Sequence, residues 1–408
     1  MSRGASNLKN QRSVQEFSQS GAQLWIDVST LRESHWTGIP VVAAGLAAAL
    51  DDALPGQTGF FVDTEIIASP AVRDAITRRS GRFLRRDIDS GAARLGPIPT
   101  NGNGKPLRVG LFPSVKSTRG AFDIEALMVH DLSTLITPQF HIPGNVSHHM
   151  DAITGDIASS QMVFAVSAAT RADMIAYLGI DPDLVRVVPN GVTMSPPFVA
   201  NAQNLGAHSE VEPYMVILGT REPRKNITKI FEMLELWPEM LDAHRYVFAG
   251  RMGWMEDHHV LPASLEPFQK SGRILFTGFV SEAQKYTLLH HAAASLYPSL
   301  FEGFGLPVLE SMAAGTPCVA SFSSSIPEVS GGPACLFDPL SASELRRAIG
   351  EILARRKMLG NAAIREACVA AAAPFSWETA AALILQNLTP LAQSWTKRRK
   401  TVKARPMV

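Results

Sequence analysis

Glu302 and Glu310 stand with seven residues between them in the stretch ASLYPSLFEGFGLPVLESMAAGTPCVA, residues 294–320. Carboxylates accept hydrogen bonds from hydroxyl groups, and the intervening Gly303 and Gly305 let backbone N–H groups and a positive helix end face an anion. A ligand that is both phosphate and polyol, such as a nucleotide-sugar, suits this chemistry. The plainer alternative is a βαβ unit whose two glutamates face water.

The surrounding residues say how the pair is held. Apolar residues 294–297 suit a short buried strand, Gly303 and Gly305 a tight loop, Pro307 the first turn of a helix, and Gly315 its end. On one regular helix the two glutamates would lie roughly 80° apart, but the glycines argue against that. Glu302 is therefore expected in a loop and Glu310 on a helix.

Further polar residues fall at strand ends. YMVILG (214–219) reads as a buried strand, and TREPRKNITKIFEMLE after it as a loop and helix carrying Arg221, Arg224, Lys225 and the capping candidate Asn226. EALMVHDL (125–132) reads as a strand ending in His130 and Asp131, at the carboxyl edge where open α/β sheets keep ligands. LWIDV (24–28) is a first strand, and Thr37 and Gly38 sit where the chain turns into a helix of small residues. A glycine there lets amides approach a phosphate or sugar; a simple turn or a buried structural histidine is the alternative at each place.

A chain of 408 residues exceeds what one core usually serves, so two domains are expected. A net charge of +1 argues against a general nucleic-acid binder, although two basic clusters stand out. One is the helical stretch with Arg73, Arg78, Arg79, Arg82, Arg85 and Arg86, interleaved with Val72, Ile76, Phe83 and Leu84; the other is the tail TKRRKTVKARPMV. Either could meet an anionic membrane surface, or simply be solvated. The apolar run at 38–50 is too short to span a bilayer and the polar start lacks signal-peptide character, so a cytoplasmic protein is expected.

Cys318, Cys335 and Cys368 are widely spaced, as core residues would be, and His258–His259 is a weak metal signal. Two Asp-x-Asp triplets, Asp87 to Asp89 and Asp181 to Asp183, are the only hint of a metal-dependent transferase. Ser167 is expected to cap a helix, Ser341 with Glu344 to form a capping box, and Asn190–Gly191 to close a strand with a turn. Residues 193–212 lose periodicity and read as a linker.

EGFGLPVLE, with HD at 130–131, PNGV at 189–192 and the Arg/Lys loop, resembles the signature of the retaining GT-B enzymes of glycosyltransferase family 4. The resemblance covers most of residues 24–390 and is strongest over 214–340. It implies an α/β fold of two facing Rossmann-like domains with a cleft between them: an acceptor-side domain at 1–205, completed by a last helix at 375–395, a donor-binding domain at 206–374, and a tail at 396–408.

By the same resemblance, Arg221 and Lys225 hold the donor diphosphate. Glu302 and the backbone of Gly303, Phe304, Gly305 and Leu306 hold the sugar hydroxyls. Glu310 holds the ribose, His130 lies beside the donor sugar, Thr37 and Gly38 belong to the donor loop, and Phe279 and Val280 lie near the base. It implies a hexosyltransferase similar to bacterial mannosyltransferases of exopolysaccharide and O-antigen synthesis. The donor would be a nucleotide-diphosphate sugar, with GDP-mannose the best match, and the acceptor a glycan or lipid-linked saccharide. No cofactor or metal is required. A sugar-nucleotide epimerase of the same fold and a non-catalytic nucleotide-sugar sensor or membrane scaffold remain the alternatives.

Overall fold

The computed structural model describes residues 2–99, 106–193, 213–253 and 260–403. The NGNGK cluster at 101–105, the linker from 194 to 212 with the 205/206 boundary, the loop holding His258 and His259, and residues 404–408 lie outside the described residues. By contact the chain forms two compact units. Unit 1 comprises Met1–Leu132, Gly144–Gly191 and Phe375–Val408; unit 2 comprises Ser133–Pro143 and Val192–Pro374.

Unit 1 is built on strands β1 (Gln23–Asp27), β2 (Thr58–Val62), β3 (Glu65–Ile67), β4 (Arg94–Pro97), β5 (Arg108–Phe112), β6 (Ile124–Val129), β7 (Met162–Ala165) and β8 (Val185–Val187). Their order is β4-β3-β2-β1-β5-β6-β7-β8, parallel except for β3 and β4. Every residue of β5 and β6 is buried, as expected for strands covered on both faces. Helix Ile39–Ala53 has Pro40 in its first turn, where a missing N–H costs nothing, and its alanines allow close packing. Gly45 in that helix has no room for a Cβ, because the Trp377 indole lies 2.3 Å from where it would be.

Periodicity alone does not reveal the antiparallel β3–β4 ribbon, whose strands are short, or the polar helix Ser2–Gln19, which packs on the last helix. That last helix runs from Trp377 to Lys403, with Pro390 inside it, so the segment expected to begin a solvated tail at 396 continues as helix. The stretch Asn361–Arg398 is long and apolar enough by composition to cross a membrane. It is two helices, however, and Ile384, Leu385 and Leu388 of the second are fully buried.

The basic stretch is likewise two helices, Ser69–Arg78 and Arg82–Asp89, joined through Arg79 in a left-handed conformation. Val72 and Leu84 are buried in the core, whereas Phe83 is exposed between the Arg78 and Arg86 guanidinium groups, each 5.2 Å from its ring. Arg73 pairs with Asp51 and Asp52, Arg78 with Asp74 (2.7 Å) and Arg86 with Asp87 (2.9 Å), which neutralises much of the basic face.

Unit 2 is built on β9 (Tyr214–Leu218), β10 (Arg245–Ala249), β11 (Ile274–Gly278), β12 (Ala294–Tyr297), β13 (Cys318–Ser321) and β14 (Cys335–Phe337). All pair in parallel, in the order β11-β10-β9-β12-β13-β14. The order reverses between β9 and β12, so their following loops leave in opposite directions and open a crevice at the strands' carboxyl ends. The core beneath includes Met215, Ile230, Phe231, Tyr246, Leu345 and Ile349.

Local signals are met unevenly. Ser167 caps its helix by accepting the Thr170 N–H. Ser341 accepts the Glu344 N–H (3.2 Å), but the Glu344 carboxylate pairs with Arg347 (3.2 Å). A complete capping box occurs instead at Ser281 and Gln284. Asn190–Gly191 forms no turn, and Gly191 is required for another reason. A Cβ there would fall 2.3 Å from the backbone nitrogen of Trp377, which cannot swing away.

Gly191→Ala is therefore expected to cost about 1–3 kcal/mol by overpacking. Gly350→Ala, in mid-helix with open space around it, should be neutral or stabilise by up to about 1 kcal/mol. Urea unfolding of the two variants checks the contrast.

Candidate active site

The loop after β9 and the loop after β12 are stitched together across the order reversal. Asn226 takes a left-handed conformation (φ 54°), and its side chain does not cap the helix it precedes. Its amide donates instead to the carbonyls of Pro298 (3.0 Å) and Pro339 (2.9 Å). The Leu300 N–H returns a bond to the Arg224 carbonyl (2.8 Å). These bonds bring a short turn, Pro223–Lys225, against the loop that carries Glu302.

Glu302 is buried at that junction, with 6% of its surface exposed. The Lys225 ammonium donates to one carboxylate oxygen (2.6 Å) and the Arg224 guanidinium to the other (2.9 Å). Lys225 also donates to the Tyr297 hydroxyl (2.9 Å), while Arg224 reaches the Phe301 carbonyl (3.1 Å) and pairs with Glu222 (2.7 Å). Burial by itself raises the Glu302 pKa, but the charges of Arg224 and Lys225 and the bonds from Lys225 and Tyr297 outweigh it and hold the carboxyl at about 2. Glu302 is thus an anion at any physiological pH.

Gly303 and Phe304 continue the loop, and Gly305 (φ 101°) precedes helix Leu306–Ala313. That positive φ favours glycine, and Val329 lies 3.1 Å from where a Cβ would sit. The Gly305 carbonyl accepts the first helical bonds, from Val308 and Leu309. Glu310 lies one turn further on, half-buried, in a separate clasp: Lys285 donates to it (2.6 Å) and pairs with Glu282 (2.9 Å). Burial lowers the Lys285 pKa, and the two carboxylates more than reverse that. Both glutamates are therefore where the sequence places them, one in a loop and one on a helix.

Arg221 does not join Lys225 at Glu302; Arg224 does. The Arg221 guanidinium lies over the Phe276 ring (4.7 Å), and its backbone bonds to Arg251 and Gly253. Arg221 and Lys225 nevertheless line one small pocket at the carboxyl end of β9, with Gly219, Thr220 and Tyr297. Phe279 is partly exposed beneath the Arg251 guanidinium (5.5 Å).

Within unit 1, His130 follows β6 and its Nε2 lies 2.7 Å from the Pro113 carbonyl. A carbonyl only accepts, so Nε2 carries the proton. Burial pulls the His130 pKa below the ordinary histidine value, against the opposing pull of Pro113 and Asp131. Thr37 and Gly38 are exposed at the start of helix Ile39–Ala53, where Gly38 (φ 58°) is the N-cap.

Of the candidate metal triplets, Asp87 pairs with Arg86 (2.9 Å), and Asp181 caps the N–H of Asp183 (2.8 Å) in a turn. Among the described residues no three His, Cys, Asp or Glu side chains cluster as metal ligands do. The three cysteines are buried and unbridged.

Sequence reasoning assigned no role to Arg224, Lys285, Glu222 or Tyr297. Arg224 was visible as the neighbour of Lys225. Nothing local marks Lys285, whose partner Glu310 lies 25 residues away along the chain.

Two Rossmann-like units, with an anion-and-cation cluster at the order reversal of the second, make a GT-B fold. Residues 202–367 match the family model described as glycosyl transferases group 1. The chain is 30% identical over 257 residues to O-antigen chain mannosyltransferase B of Escherichia coli, covering 61% of this chain and 66% of that protein. It is 26% identical over 273 residues to the serotype-specific mannosyltransferase WbdA of Escherichia coli, covering 65% of this chain but 33% of that protein. The chain thus spans less than two thirds of the length of these relatives. Among solved structures, sucrose-phosphate synthase from Thermosynechococcus elongatus superposes with a TM-score of 0.64 at 18% identity, over 91% of this chain and 99% of that one. HepE of Anabaena, solved with UDP and glucose, superposes with a TM-score of 0.60 at 17% identity, over 90% and 99%.

The depressed Glu302 pKa makes a prediction about pH. Its clasp stabilises the fold fully above the ordinary carboxylate range, by on the order of 3 kcal/mol, and that contribution is lost as pH falls toward about 2. Glu302→Gln should therefore unfold well below the parent's temperature at pH 7, with the gap closing near pH 2. An equal gap at both pH values in thermal unfolding would contradict the charged clasp.

Proposed function

We propose that the protein is a retaining glycosyltransferase that moves mannose from GDP-mannose to a hydroxyl of a glycan or lipid-linked saccharide, on the cytoplasmic side of the membrane. The convergence of Arg224 and Lys225 on Glu302 at the β9/β12 crevice carries this reading. It sets two cations and an anion together where a leaving diphosphate and a sugar would lie side by side. The mannosyl donor is supported by the names of the relatives.

In this reading the diphosphate takes over the Lys225 and Arg224 donors, with Arg221 at its flank, and exchange of one anion for another leaves no buried cation unpaired. The cations stabilise the charge that develops on the leaving nucleotide, so no metal or cofactor is needed. Glu302 and the backbone of Gly303 to Leu306 turn to the sugar hydroxyls, and Glu310 to the ribose.

Transfer from GDP-mannose to synthetic lipid-linked saccharides, followed by mass spectrometry and by NMR of the new anomeric centre, tests the proposal; retained configuration and insensitivity to EDTA are expected. Free epimerised sugar without acceptor would mark an epimerase instead, and binding without turnover a sensor. Within the assay, Glu310→Gln should raise the donor KM about ten-fold, a loss of roughly 1–2 kcal/mol of ribose contact. Glu302→Gln should lower kcat more than it changes KM, since its contact matters most when the sugar carries positive charge. Arg224→Ala and Lys225→Ala should each weaken both donor binding and turnover. Unchanged kinetics in the arginine variant would remove it from the site.

A further inference from the structure

Unit 1 has its own strand-order reversal, between β1 and β5, and the loop that leaves β5 there is held by buried charges. The Lys116 side chain is fully enclosed; its ammonium donates to Glu125 (2.7 Å) and to the Ser159 hydroxyl (2.9 Å), and its backbone N–H to Asp156 (3.0 Å). The Ser117 hydroxyl donates to Asp27 at the end of β1 (2.6 Å). Glu125, pointing in from β6, also accepts the Ala121 N–H (2.9 Å), so both of its oxygens are used on the same loop. Asp156 in turn binds Arg119 (2.7 Å).

Burying this many charges is costly, and well-packed apolar residues of the same volume would serve stability as well or better. What the charges supply is direction, because each ion pair and hydrogen bond fixes a donor against an acceptor. The segment they fix, Pro113 to Ser117, begins with the carbonyl that accepts from His130 Nε2. A proton held on Nε2 leaves Nδ1 as the imidazole's acceptor, and at neutral pH the ring stays uncharged because burial lowers its pKa.

We propose that Lys116 and Glu125 are positioning residues for His130. They pin the loop after β5 so that the Pro113 carbonyl locks the imidazole as the Nε2–H tautomer, which leaves Nδ1 as the ring's acceptor. The effect on transfer rests on the transferase reading above; the tautomer lock does not.

The test replaces the ion pair by apolar residues of similar size, Lys116→Met with Glu125→Leu, in the full chain. Imidazole 15N shifts, with the His130 signal identified from its loss in His130→Gln, are expected to show one Nε2–H tautomer in the parent and a mixture in the double variant. In mannosyl transfer, kcat should fall about ten-fold, with donor KM within about two-fold and an unfolding midpoint close to the parent's. In the His130→Gln background the same pair of changes should have no further effect on kcat. A folded double variant with an unchanged tautomer overturns the proposal, and so does an effect on kcat that persists without His130. If the double variant fails to fold, Ser117→Ala, which loosens the same loop from Asp27, is read in the same way. Absence of transfer by the parent protein together with the expected tautomer change would reject the transferase reading and leave the positioning role standing.

Discussion

The interaction on which the candidate site depends is the buried carboxylate of Glu302 between Lys225 and Arg224. A carboxylate taken out of water is unstable unless its lone pairs are met by charge, and here the two partners come from the loop after a strand about 80 residues earlier in the chain, with Arg224 78 positions away from Glu302. They reach it because β9 and β12 are neighbours in the sheet and hydrogen bonds hold the loops that follow them against each other. The Asn226 amide, donating to two carbonyls on other loops, sets the spacing. The side chains beneath are buried and packed, so the cluster rests on a rigid floor.

Glu310 is held on the same principle but separately. Lys285 neutralises it from a neighbouring helix, so the two glutamates of one short motif occupy different electrostatic settings. Glu302 is clasped by two cations that could release it to another anion, whereas Lys285 is shared between Glu310 and Glu282. In the proposed transferase reading, that asymmetry separates a carboxylate at the reacting sugar from one that serves as a fixed contact. The group 1 glycosyltransferase match over residues 202–367 falls on the unit that contains both.

Unit 1 shows a parallel use of buried charge, with Asp27, Lys116, Glu125 and Asp156 arranged around the reversal between β1 and β5. Neither crevice is lined by apolar side chains alone. In both, the buried carboxylates are paired with cations or hydroxyls of the same unit, which restricts what can displace those partners.

Much of the order of strands and helices was legible in the sequence because the buried strands are short apolar runs, several of them closed by glycine or proline, as at Pro113, Gly219, Gly250 and Pro298. The EGFGLP context likewise announced Glu302 as a loop residue and Glu310 as a helical one, since Gly305 and Pro307 act on the backbone locally. Local signals failed where tertiary contacts outbid them. Asn226 gave its amide to distant carbonyls instead of capping, Gly191 answered to Trp377 rather than to a turn, and Val72 and Leu84 turned into the core instead of outward. The short β3–β4 ribbon and the helix Ser2–Gln19 had no periodic signal because their stability comes from what they pack against. The choice of Arg224 over Arg221 as the second cation on Glu302, and of Lys285 as the partner of Glu310, could be made only by the folded chain. Those pairings depend on which loops the sheet order brings within hydrogen-bonding reach, and no spacing along the sequence encodes that distance.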